Sequence, residues 1–153
     1  MLAASKFVIA TLMLCTSATY SVSGGDFKCY EDYRCITDTG SPQHRLLQES
    51  YTDEKGLRKV DNRYCIALGS AYGTEIGTKY DIILENGNVL NCILADQKAD
   101  RDTVDGHTRD RHGAVVEFIV DTPYLDAAVT QMGDVSYASD YFKGGIKRIV
   151  EVN

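Results

Sequence analysis

Apolar and polar positions alternate in short runs along most of this chain, and turn residues punctuate the runs. "HRLLQESYT" (residues 44–52), "LRKV" (57–60) and "RYCIAL" (63–68) read as strands, with the turn-like "DEKG" between the first two. "KYDIILE" (79–85) leads into Asn86-Gly87, a two-residue hairpin signal because both positions tolerate positive φ, and "VLNCILA" (89–95) follows at once. "AVVEFIV" (114–120) is β-branched and aromatic, and "IKRIVEV" (146–152) closes the chain with alternating apolar residues. One helix interrupts the series. Thr122 suits its N-cap, Pro123 its first position and Gly133 its end, and Tyr124, Leu125, Ala128, Val129 and Met132 fall on one face. Six or seven short strands with one late helix predict a mainly β fold, a small barrel or sandwich rather than alternating βαβ units.

The chain has 153 residues, the length of one domain. Its start has a different character. Lys6 is the sole charge in the first 25 residues, and the apolar run "FVIATLML" after it is too short to span a bilayer. Small and hydroxylated residues follow, as in a secretory signal, with Ala18 and Gly24 as alternative ends. The expected organisation is a signal over residues 1–24, a polar arm or linker over 25–42 that ends at Pro42, and a barrel domain over 43–153. An exported chain would be secreted or held at a cell surface, with no membrane segment once the signal is gone.

Cysteine usage agrees with export. Cys29, Cys35, Cys65 and Cys92 remain beyond residue 24, and an even count favours disulfides. Cys29 with Cys35, and Cys65 with Cys92, is the expected pairing out of three connectivities; buried free thiols are the alternative. No C-x-x-C occurs, and His44, His107 and His112 have no zinc-like spacing to the cysteines, so no metal or other cofactor is expected. The formal net charge is −6, without clustered Lys and Arg, which argues against nucleic acid or anionic lipid as partner.

The segment "QKADRDTVDGHTRDRH" (97–112) is the longest stretch between strands, and ordered loops of that length are usually functional. Asp100, Asp102, Asp105 and Gly106 imitate a calcium loop, but the register slips by one and Arg111 stands where a bidentate Glu is needed. Two acids frame this loop. Asp96 ends one strand run, and Glu117 lies mid-run in the next, an expensive place for a charge unless it faces a cleft or a partner. Two carboxyls projecting into one groove suit glycosidic bond cleavage. A turn-capping Asp96 and a solvent-facing Glu117 are the plainer alternatives.

"IGTKYDIILENGNVLNCILADQ" (76–97) resembles the core of double-psi β-barrel domains of bacterial cell-wall proteins, in the rare lipoprotein A and three-aspartate families. Gly77, Thr78 and Lys79 open a strand, Asn86-Gly87 turns it, and the next strand ends in Asp96, in the order those families use. "GAVVEFIVD" is similar to the strand that carries a second acid there, with Glu117 in its place, and the likeness spans residues 64–121. Where the three-aspartate pattern places a further acid, this chain has Gly69, and the histidine of the other pattern is absent. The stretch also resembles proteins of gut Firmicutes and their mobile elements. The resemblance implies a six-stranded double-psi β-barrel with one short helix before the last strand. It also implies a partner among peptidoglycan or other cell-envelope glycans, and lytic transglycosylase activity with Asp96 as acid and then base, and Glu117 in support. Lys98, Asp100, Asp102 and His107 would then line the substrate groove. Free Asp has a pKa of about 3.9, so the acid role needs an environment that holds a proton. A non-catalytic module that binds glycan or protein is the alternative to an enzyme.

Overall fold

The computed structural model describes residues 17–153, and the fold is mainly β. The strands are β1 (Thr19–Ser21), β2 (Cys29–Asp32), β3 (Tyr51–Thr52), β4 (Arg58–Val60), β5 (Arg63–Leu68), β6 (Lys79–Leu84), β7 (Val89–Gln97), β8 (Thr103–Val104), β9 (Arg109–Asp110), β10 (Glu117–Val120) and β11 (Ile146–Val152). Two helices join them, α1 (Pro42–Gln48) and α2 (Ala127–Met132). One mixed sheet follows the path β1-β11-β6-β7-β5-β10-β2, with β4 on β5 and β3 on β4; β8 and β9 pair separately. The β5–β7 and β10–β2 pairs are parallel and the others antiparallel. Among the described residues β1 and β2 end the path without pairing to each other, so the strands exceed the six expected and their ladders do not close a ring.

Two apolar layers explain the strand patterns. The larger gathers Ile66 and Leu68 of β5, Tyr80, Ile82 and Leu84 of β6, Leu90, Cys92 and Leu94 of β7, and Phe118 and Val120 of β10. Phe118, Phe142 and Tyr64 meet edge to face there, at centroid distances of 5.3–5.9 Å. The smaller layer lies on the opposite face of the central strands, where Leu47 of α1 covers Cys65, Ala67, Ile93, Ala95 and Ile119. Strands covered on both sides read as continuous apolar runs, which is why "CIAL" and "CILA" do not alternate. Each buried Leu, Ile, Val or Phe among them stabilises the fold by roughly 1.5–3 kcal/mol.

Several local expectations change. The run expected as a first strand is α1, because Ser41 accepts a hydrogen bond from the His44 N–H (3.1 Å) and Pro42 takes the first turn. The N-cap of the late helix lies four residues beyond Thr122. Thr122–Tyr124 form a 3₁₀ turn, Leu125 is extended, and Asp126 caps α2 through the N–H groups of Ala128 and Val129. Leu125 and Val129 are buried, whereas Tyr124 and Met132 are exposed, so the anticipated apolar face is only partly core. In the β6–β7 hairpin Gly87 alone takes positive φ (91°). Gly87 N–H donates to Leu84 O, and Leu84 N–H to Asn88 O, which makes a three-residue loop in which glycine's freedom is needed once.

The N-terminal boundaries also move. The apolar run over residues 7–14 lies outside the described residues. Within the span expected to be a signal, β1 pairs antiparallel with β11 (Tyr20 opposite Ile149), and Tyr20 packs edge to face on Tyr72 at 5.3 Å. A boundary at Gly24 would remove this strand, whereas one at Ala18 would keep it. The expected arm, 25–42, is not a linker either. It carries β2, which pairs in parallel with β10. Among the described residues no helix is long and apolar enough to cross a membrane.

Candidate active-site cleft

The smaller layer ends in polar residues, and a cleft of about 510 Å³ opens there. Asp96 reaches it through an irregularity. β5 and β7 pair Ile66 with Leu94 and then Ala67 with Asp96, so Ala95 is an extra residue in β7. Such a bulge re-aims the side chain after it. Ala95 packs with Ala67 in the smaller layer, and Asp96 lines the cleft beside the same Ala67. Glu117 arrives from the other side, because β10 places it opposite Ala67. β2 then brings Cys29 opposite Glu117, and Glu31 opposite Ile119. Gln43 of α1 donates to Asp96 Oδ1 at 3.4 Å.

Lys98 follows β7, with its backbone N–H bonded to Leu68 O. Its side chain is 4% exposed, and its Nζ donates to Asp110 Oδ2 (3.2 Å), Glu117 Oε2 (3.3 Å) and Cys29 Sγ (3.6 Å). Burial opposes the ammonium, but Cys29, Glu117 and Asp110 outweigh it and raise the Lys98 pKa. Burial also opposes the Asp110 carboxylate, yet the N–H groups of Ala114 and His112, together with Lys98, hold its pKa below the usual range. Burial pushes the Cys29 thiol up to about 12, aided by the charge of Glu117, so at neutral pH it is a thiol and a poor nucleophile.

Glu31 is the most perturbed acid of the cleft. Burial, a side-chain hydrogen bond with Asp96 and the charges of Glu117 and Asp96 push its pKa up to about 8, with Lys98 opposing. A hydrogen bond between two carboxyl groups needs a proton on one of them. The cleft therefore holds Glu31, whose proton is bound more tightly than in a free glutamate, together with Asp96, while Glu117 is paired with the Lys98 ammonium. That set can give and take protons. Among the described residues no three His, Cys, Asp or Glu side chains form a metal-binding group.

The structure thus brings together Asp96, Glu117, Lys98 and Asp102 of the expected residues, and Asp102 sits at the exposed rim. Asp100 and His107 do not reach the cleft. Asp100 accepts from Ser70 Oγ (2.6 Å), and His107 Nδ1 lies 2.8 Å from Thr103 Oγ1 and 3.6 Å from Asp100. His107 lies in the turn between β8 and β9, where it and Asp105 take positive φ, and Asp100 lies in the 3₁₀ turn before β8. The 97–112 segment is an ordered flap built on this hairpin. At Gly69 an added Cβ would lie 2.0 Å from His107 O, so the flap rests directly on Gly69.

The expected disulfides do not form, and Cys29, Cys35, Cys65 and Cys92 are free thiols. Cys65 and Cys92 lie on neighbouring strands, but Tyr64 stands opposite Cys92 and Cys65 opposite Ile93. Cys92 consequently faces the larger layer and Cys65 the smaller one. Cys35 is exposed, whereas Cys29 turns into the cleft toward Asp110 and Lys98. Glu31 and Asp110 are the residues that sequence reasoning left out of the site. No spacing signal marks Glu31, because only parallel pairing of β2 with β10 brings it to the cleft that Asp96 and Glu117 line. Compared with known protein families, curated proteins and solved structures, the chain matches none of them.

Proposed function

We propose that this protein is a secreted or cell-surface bacterial domain that cleaves the glycan strands of peptidoglycan in the manner of a lytic transglycosylase. The observation that carries the reading is the meeting of Asp96 and Glu117, from separate strands, in one open cleft with a third carboxyl, Glu31, whose pKa burial raises. Glycosidic cleavage needs a carboxylic acid held neutral near working pH and a second carboxylate. The fold accompanying this reading is a double-psi β-barrel core enlarged by extra strands. Its support is the element Gly77-Thr78-Lys79, whose backbone bonds to Leu94 of β7 (Gly77 N–H to Leu94 O and Leu94 N–H to Thr78 O, both 2.8 Å), ahead of the strand that ends in Asp96. Export with an end at Ala18 suits the same reading, since it leaves β1 in the sheet.

A second reading has its own observation. Glu117 is engaged by Lys98, and the flap seals position 69, an arrangement that also suits a module that binds envelope glycan or protein without cleaving it. Incubating the protein with purified sacculi and analysing the soluble products by mass spectrometry separates the two. Anhydro-muropeptides that disappear in Asp96→Asn support cleavage. Co-sedimentation with sacculi and no released product supports binding and removes the enzymatic reading.

A further inference from the structure

We propose that Asp110 and Lys98 are positioning residues for Glu117: the flap carboxylate orients the buried ammonium, and the ammonium fixes the Glu117 carboxyl in the cleft. The inference rests on the glycan-cleaving reading and names the residues that act on one of its two acids from behind.

The chain of contacts starts in the flap backbone. Asp110 ends β9, and its N–H donates to Ala114 O (3.0 Å), which closes the turn that follows. Its Oδ1 accepts from the N–H groups of His112 (2.8 Å) and Ala114 (3.0 Å). Two backbone donors on one oxygen orient the carboxylate, and Oδ2 is left for Lys98 Nζ at 3.2 Å. Lys98 is anchored at its other end by the bond from its N–H to Leu68 O (3.0 Å).

The ammonium is fully committed. It has three donors, and three acceptors surround it: Asp110 Oδ2, Glu117 Oε2 at 3.3 Å and Cys29 Sγ at 3.6 Å. Cys29 in turn donates to Asp110 Oδ2 (3.5 Å), and β2 holds it opposite Glu117 of β10. No donor of Lys98 remains for a ligand, so its part in the cleft is played through Glu117. A glutamate side chain is otherwise free to change rotamer, at an entropic cost when it is fixed. Here the ion pair fixes Oε2, and among the described residues no donor engages Oε1, the oxygen left for a ligand. Holding a reacting group in place matters because a misplacement of about 1 Å can cost about 100-fold in rate.

The test asks whether Asp110 acts on Glu117 and whether it does so through Lys98. Asp110→Asn keeps Oδ1 as acceptor for His112 and Ala114 and removes the charge facing Lys98. The Glu117 side-chain carboxyl ¹³C signal is compared in wild type, Asp110→Asn, Lys98→Met and the double variant, at a temperature where thermal unfolding shows each to be folded. Asp110→Asn should move that signal, and the same change made in Lys98→Met should not move it further. A signal indifferent to Asp110→Asn overturns the positioning role, and this single variant decides it if Lys98→Met does not fold. An equal shift in both backgrounds overturns the path through Lys98. On soluble glycan strands, Asp110→Asn should lower kcat for anhydro-product release by about tenfold or more, with KM changed by less than about twofold. A raised KM at unchanged kcat would make Asp110 a ligand contact and overturn the positioning role. If the wild-type protein releases no product, the glycan reading falls, and the carboxyl signal still decides whether Asp110 orients Glu117 through Lys98.

Discussion

Lys28 and Lys98 are both withdrawn from water, and their pKa values move in opposite directions. Lys28 precedes β2 and is fully buried. Its Nζ donates to Gly144 O (2.8 Å), Asp26 O (3.1 Å) and Ser136 Oγ (3.4 Å), all of them neutral acceptors. Burial lowers its pKa, and the more distant charges of Asp134 and Asp26 offset only part of that. Lys98 is nearly as buried but faces the carboxylates of Glu117 and Asp110, and its pKa is raised. Burial alone does not set the charge of an ammonium; the charge of the groups that receive its hydrogen bonds does. The difference separates two tasks. Lys28 pins β2 to the 134–136 and 144 segments, as a polar clasp inside the fold. Lys98 supplies fixed positive charge to an acidic cleft and forms ion pairs with Glu117 and Asp110.

The comparison breaks most visibly at Lys98. Lys98→Met leaves two carboxylates facing each other and should lower stability by about 3 kcal/mol at pH 7, since unpairing a buried ion pair costs about 3–5 kcal/mol and these carboxylates are partly solvated. Urea unfolding should show that loss shrinking as pH falls below the carboxylate range; an equal loss at pH 3 and pH 7 would mean that the charge of Lys98 is not what matters. Lys28→Met removes donors from neutral acceptors while nearly keeping the volume. The expected loss is about 2 kcal/mol, the desolvation of unpaired groups. In contrast to Lys98, it should be flat between pH 5 and 8 in the same assay.

Glu31 sharpens the comparison from the acidic side, with a smaller effect. Its pKa in the folded protein is about 8, above that of the unfolded chain, so the native state binds the proton more tightly. The associated stability is fully present below the ordinary glutamate value of about 4.3 and is lost as pH rises through about 8. Wild-type stability should therefore decline over that window by about 1 kcal/mol after allowance for solvent screening, and Glu31→Gln should decline less. A parallel decline in the two proteins would contradict the proton held at Glu31. The smallest effect concerns Cys35. Cys35→Ser should change stability by less than about 0.5 kcal/mol, because the residue is exposed. Alkylation at pH 8 followed by intact mass should show Cys35 modified first, with Cys29, Cys65 and Cys92 protected until unfolding. Simultaneous labelling of Cys29 would mean that Lys98 activates it despite burial.

How far the molecule was legible depended on the range of the interaction. The β6–β7 hairpin was readable, since Asn86-Gly87 and the flanking apolar runs act within a few residues, although the loop closes over three residues instead of two. The strand character of "RYCIAL" and "AVVEFIV" was readable for the same reason, with the second strand beginning only at Glu117. α1 was misread because seven residues are too few for helical periodicity to outweigh a local apolar run; the Ser41-Pro42 start was the better cue. Asp96 and Glu117 could be singled out as costly charges beside apolar strands, and they do share a cleft.

The sequence by itself determined the mainly β character, the position of the turns and the candidacy of two acids, because propensity, pattern and turn chemistry act locally along the chain. Tertiary structure alone decided that the stretch before Pro42 carries a strand of the sheet, that Cys65 and Cys92 face opposite layers, that the flap covers Gly69, and that Glu31 joins Asp96 in one cleft. Each of these follows from register between distant strands. A one-residue bulge at Ala95 or a parallel pairing with β10 decides which face a side chain occupies, and no local pattern records it.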